Sequence, residues 1–164
     1  MQEKISSPQS HEVVSPLAQR SLEIKLANSF ITRIQSQFGE EVALEILRSV
    51  VEEQANFAAI QFQKNNPVRS LQSLYEVWKI LGGDGRLDLE LDELNEHTLK
   101  FHIKRCCYAE RYKELQLESL GILFSCRRDE PFAKALIPGI KMTQSKTILE
   151  GNDGCYFEYT LEEV

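Results

Sequence analysis

The chain has 164 residues, 42% of them hydrophobic and 27% charged, with 25 acids against 19 Lys and Arg for a net charge of −6. That length suits one domain with its own core, and the composition excludes a largely disordered chain or a coiled coil. The longest apolar runs are too short to cross a membrane, and the acidic balance, with Arg127-Arg128 as the one basic cluster, argues against nucleic acid as a partner.

Residues 1 to about 16, MQEKISSPQSHEVVSP, carry few large apolar groups and no secretory h-region. They read as a flexible tail on a cytoplasmic chain, with 17–164 as a single domain. From there Leu22, Leu26, Phe30, Ile34 and Phe38 recur at four-residue spacing until Gly39, which predicts an amphipathic helix. A second series, Val42, Ile46, Val50, Ala55 and Ile60, predicts another helix, ended by Asn65-Asn66-Pro67. A third, starting at Pro67, carries Leu71, Leu74, Trp78 and Leu81 before Gly82-Gly83.

The period then changes from helical to alternating. Leu87, Leu89 and Leu91 alternate with acids, and Leu99, Phe101 and Ile103 alternate with Thr98, Lys100 and His102, so two half-buried strands are predicted. His102 points away from the apolar face. Helical spacing returns over 107–124 with Tyr108, Tyr112, Leu115 and Leu120, and a short helix spans Pro131 to Leu136 before Pro138-Gly139. KMTQSKTILE and CYFEYTLEE, joined by Gly151-Asn152-Asp153-Gly154, predict a closing hairpin with Cys155, Phe157, Tyr159 and Leu161 on one face. The expected fold is α+β: N-terminal helices, then a small antiparallel sheet of about four strands packed with helices.

Several chemistries fail on spacing. GGDGRLDLELDEL suggests half a calcium loop, but with the glycine set on Gly85 the first two ligand positions fall on Ile80 and Gly82 and the bidentate acid on Leu91. No close Cys or His pair of a zinc site occurs, and no GxSxG elbow or phosphate loop, so neither a metal nor another cofactor is expected. The four cysteines, Cys106, Cys107, Cys126 and Cys155, read as free thiols, since adjacency of the first two makes a disulfide framework awkward. Cys106 falls at a strand-to-helix junction, where helix N–H groups, Arg105 or a protonated His102 would favour a thiolate. The plainer reading is that at least one of the adjacent pair fills the core. Glu110 and Asp129 are the carboxylates nearest in motif terms; Tyr108 and Tyr112, four apart, could line a pocket.

RCCYAERYKELQLESLG, FSCRRDEPFAK and TQSKTILEGNDGCYFEY together resemble the successive motifs of the L-2-amino-thiazoline-4-carboxylate hydrolase family. The match falls at Cys106, Tyr108, Ala109, Glu110, Tyr112, Gly121, Cys126, Asp129, Thr147, Glu150, Gly151, Cys155 and Phe157, with Cys107 in a variable place. Gln144 and Ser145 depart from it. The resemblance implies hydrolysis of a small cyclic amidine to an N-carbamoyl amino acid. The chemistry of that reaction would use Cys106 as nucleophile, Asp129 or Glu110 as base, His102 as proton donor, and Arg105 or Arg128 for the substrate carboxylate. Tyr108, Tyr112, Thr147, Glu150 and Cys155 would complete a substrate site, and Cys106, Asp129 and Cys155 should converge on one cavity.

The terminal hairpin is also similar to that of the vinyl-reductase-like small-molecule-binding domains, so a non-catalytic ligand-binding or sensor domain is the alternative. In either case the partner is a small molecule rather than a nucleic acid or membrane. A third expectation is an interaction surface on the amphipathic N-terminal helices, pairing the chain as a homodimer.

Overall fold

The computed structural model describes residues 14–161. The tail expected at 1–16 therefore lies outside the described residues as far as position 13. Helix α1 (Pro16–Phe38) starts where the Ser15 hydroxyl accepts the Ala18 N–H at 3.2 Å and Pro16 takes the first helical position. A single residue, Gly39 at φ +90°, turns the chain into α2 (Glu40–Asn65), a conformation that a side chain would strain.

Both helices form where the spacing places them, but the apolar stripe of α1 faces the other way. Leu22, Leu26 and Phe30 are each at least 60% exposed, while Ile24 and Ile31 are buried. On α2, Val42, Ile46, Val50 and Ile60 are likewise exposed, and Ala43, Leu47, Val51, Ala55 and Ala59 face inward. Helical periodicity identifies an apolar face without saying what covers it. Here the small inward side chains of α2 let the helices approach the domain closely.

Helix α3 (Leu71–Leu81) begins later than Pro67, because Ser70 and Ser73 cap it reciprocally. Its buried stripe, Leu71, Leu74, Val77 and Trp78, covers one face of a four-stranded antiparallel sheet in the order β1-β2-β4-β3. The strands are β1 (Leu87–Leu94), β2 (Thr98–Cys106), β3 (Lys141–Lys146) and β4 (Cys155–Thr160). The fold is α+β, as the change of period predicts.

On the covered face Phe101 of β2 pairs in register with Phe157 of β4, their rings stacked at 4.9 Å with Trp78 at 5.2 and 5.0 Å. Four departures from the sequence reading concern ends and bulges. Leu91 is 42% exposed, on the edge strand β1 next to a register slip between Leu91 and Glu93. The helix expected over 107–124 breaks into α4 (Cys107–Glu114) and α5 (Glu118–Phe124) at Gln116, whose φ is +57°. The strand expected to run to Glu150 stops at Lys146 and gives way to a tight 3-10 turn, Ile148–Glu150. Helix α6 (Asp129–Leu136) follows the 3-10 turn Cys126–Arg128 and starts two residues before the expected Pro131.

Candidate active site

Strand β2 delivers Cys106 to the interior by an irregularity. Strict alternation from Ile103 would place Arg105 inward and Cys106 outward. Pairing with β1 slips between Asp88 and Leu89, so that Lys104 and Arg105 are both exposed and Cys106 turns in. A one-residue slip reverses every side chain beyond it. Cys106 then stands as the N-cap residue of α4.

Behind it lies a cavity of about 310 Å³ with walls from Trp78, Leu81, Leu87, Ile103 and Phe157. Cys106, Cys126 and Cys155 open into it, together with Asp129 and the guanidinium-bearing residues Arg20, Arg86 and Arg128. The expected convergence of Cys106, Asp129 and Cys155 is therefore what the fold produces, and Tyr108 and Arg128 join them. A larger groove of about 490 Å³, between Arg48 and Lys134, is a surface feature holding no thiol.

Burial governs the electrostatics of the cavity. It pushes the Asp129 carboxyl up to about 8, against the opposing pull of Arg128 and Arg20. It pushes the Cys106 thiol up to about 12, only partly offset by the Ala109 and Tyr108 N–H groups at the start of α4. Cys126 is also driven upward, by burial and then by the Asp129 charge. Cys155 moves the same way although its sulfur accepts the Ile148 N–H at 3.3 Å. Arg128 is held below its ordinary value, first by burial and then by Arg20. Burial thus works against the activated thiolate expected at Cys106: desolvation outweighs the helix N-terminus, and Arg105 pairs with Glu110 on the exterior.

Four of the remaining sequence candidates are surface or scaffold groups. Arg105 forks onto Glu110 with two bonds of 2.7 Å on the exterior, so neither residue faces the cavity. His102 lies on the opposite sheet face, 2.9 Å from the Asp92 carboxylate and stacked on Tyr156, as its alternation position dictates. Tyr112 is buried beneath α5, its hydroxyl 2.6 Å from the Ser125 hydroxyl and its phenol pushed up to about 12 by burial.

Thr147 and Glu150 close the turn after β3: the Thr147 hydroxyl donates to Glu150 Oε2 at 2.8 Å and accepts the Glu150 N–H at 3.2 Å. That turn sets the Ile148 N–H against Cys155. Sequence reasoning missed Arg20, Arg86, Trp78 and Gln144 as cavity residues. For Gln144 a signal existed, since it shares with Met142 the less exposed side of β3, and its Nε2 is buried with no partner among the described residues. For Arg20 there was none, because α1 reaches the site only by tertiary docking. Among the described residues no group of three His, Cys, Asp or Glu side chains could hold a metal ion. No helix of the described residues is long and apolar enough to cross a membrane.

Comparison with protein-family models matches residues 19–159 to L-2-amino-thiazoline-4-carboxylic acid hydrolase. No curated protein matches the chain. Among solved structures, a trafficking protein particle complex subunit 3 from Naegleria fowleri, covalently bound to palmitic acid, is similar with a TM-score of 0.56 and 11% identity, covering 88% of this chain and 96% of that one. The phenol-responsive sensory domain of the transcription activator PoxR, with phenol, is similar with a TM-score of 0.56 and 9% identity, covering 93% and 78%. At these identities the likeness concerns the fold.

Proposed function

The chain belongs to the L-2-amino-thiazoline-4-carboxylic acid hydrolase family, and on that premise we propose that its cavity hydrolyses a small cyclic amidine bearing a carboxylate, opening the ring to an N-carbamoyl amino acid. The observation that carries this reading is Asp129: a carboxyl pushed up to about 8 opens into an apolar-walled cavity beside Arg20 and Arg128. A group titrating near neutrality can both take and return a proton within one turnover. The guanidinium groups supply the charge that a substrate carboxylate needs.

Water is the nucleophile in this scheme. A substrate amidinium in the cavity draws Asp129 into its ionised form by direct charge attraction. The Asp129 carboxylate takes a proton from water as the water oxygen bonds to the amidine carbon. The ring carbon–sulfur bond then breaks, its electron pair goes to sulfur, and sulfur receives the proton from Asp129. The O-protonated urea that is left gives up the proton that the amidinium carried in, so the net change is the addition of one water. Cys106, protonated at neutral pH, acts as a wall against the ring rather than as the attacking group.

A binding role without turnover is the second reading, supported by the walls of Trp78, Leu81, Leu87, Ile103 and Phe157 and by fold relatives whose ligands are palmitic acid and phenol. Incubation with L-2-amino-thiazoline-4-carboxylate separates the two. Hydrolysis releases one new thiol per turnover above the fixed background of four protein cysteines, read with a disulfide reagent. Saturable binding by calorimetry with no thiol release assigns the binding role, and neither release nor binding overturns both.

A further inference from the structure

The outward apolar stripe of α1 and α2 has no use in the site. Leu22, Leu26 and Phe30 on α1 follow one another at four-residue spacing, and Ile46, Val50 and Phe57 on α2 fall within one narrow sector at 100° per residue. These six are between 41% and 65% exposed. With about 150–250 Å² for a whole aromatic side chain and less for an aliphatic one, they present roughly 650 Å² of apolar surface. A monomer's largest patch is typically about 300–600 Å², and a stable interface takes about 800 Å² from each partner. The six supply most of that area, with the flanking Val42 and Ile60 at 40% and 55% exposure.

We propose that the α1–α2 hairpin is the two-fold interface of a homodimer, with α1 of each copy seated on α2 of the other. Charge selects a second copy as the occupant. The exposed ions beside the α1 stripe include Lys25 and Arg33, whereas α2 exposes Glu45 and Glu53. Crossing α1 onto the partner's α2 brings bases against acids twice, once for each half of an isologous contact. Arg48 and Glu52 of that part of α2 line the groove toward α6 instead. The preceding residues 1–13 offer only Met1, Ile5 and Val13 as large apolar groups, too few to cover six.

The pairing also bears on the cavity, because α1 contributes Pro16 and Arg20 to it. A partner clamped over α1 holds Arg20 in place.

Light scattering on the full chain at micromolar concentration should give twice the 18.9 kDa chain mass. Phe30→Glu, at a 61% exposed position, should keep the wild-type circular dichroism and raise the dimer dissociation constant by about 30-fold or more. Lys25→Glu with Arg33→Glu should weaken the dimer, and adding Glu45→Lys with Glu53→Lys should restore it. A wild-type chain that stays monomeric, a Phe30→Glu chain that stays dimeric, or charge reversals without rescue would each overturn the proposal. So would a monomer that sediments with phospholipid vesicles, which would give the stripe to a membrane surface.

Discussion

Replacing Asp129 by Asn removes an ionisable group and little else, and the structure sets what should follow. In the folded chain this carboxyl sits at about 8 against an ordinary 3.8, because burial disfavours its charge. Between those two values the unfolded chain is ionised there while the folded chain holds the proton. Folding then takes up a proton, so wild-type stability falls as pH rises across that window, by about 1.4 kcal/mol per pH unit from this group. Below about 4 both states are protonated and above about 8 both are ionised, and the contribution is level in either range. From pH 5 to pH 7 the ideal change is thus about 2.7 kcal/mol, and solvent relaxation around a partly accessible cavity reduces it to about 2.

The amide of Asp129→Asn does not titrate and has no such dependence. The variant should therefore gain on the wild type by about 2 kcal/mol between pH 5 and pH 7, with the gain levelling above pH 8. Other titrating groups cancel in the difference. Urea unfolding of both chains at half-unit steps measures it, and melting temperatures should diverge by about 4–8 °C over the same span. A difference that stays constant within about 0.5 kcal/mol from pH 5 to pH 8 would mean that Asp129 titrates as an ordinary carboxylate, and the acid–base role assigned to it would fall with that result.

Two further outcomes are expected. Asp129→Asn should lose ring opening by about 100-fold or more while Cys106→Ser stays within about 10-fold of the wild type, and iodoacetamide should label Cys106 slowly at neutral pH and faster as pH rises; fast neutral labelling of Cys106 with total loss in Cys106→Ser would restore the thiol as nucleophile. Gly121→Ala should lower stability by about 1–3 kcal/mol, because its new methyl would lie 2.4 Å from Cδ2 of a Tyr112 ring pinned by Ser125; an unchanged melting temperature would show that the ring can move aside.

The sequence alone determined the parts of this protein that depend on local stereochemistry. Alternation in β2 and β4 settles which side chains face the core, which is why Phe101, Ile103, Phe157 and Tyr159 are buried and why His102, predicted to point away, stands on the open sheet face. The family resemblance of the later motifs likewise implied one cavity for Cys106, Asp129 and Cys155.

Tertiary structure decided the rest. A register slip between Asp88 and Leu89 turned Cys106 inward and Arg105 out, and a slip depends on the partner strand rather than on β2 itself. Docking of α1 brought in Arg20 from a segment with no motif and left Leu22, Leu26 and Phe30 uncovered. The acid–base character of the site was decided there too. A carboxyl at about 8 and a thiol at about 12 arise because burial removes water from groups whose neighbours in sequence, Arg128 and the α4 amides, would by themselves push both values down. Desolvation is a property of everything that surrounds a group in space, and only the assembled fold supplies it.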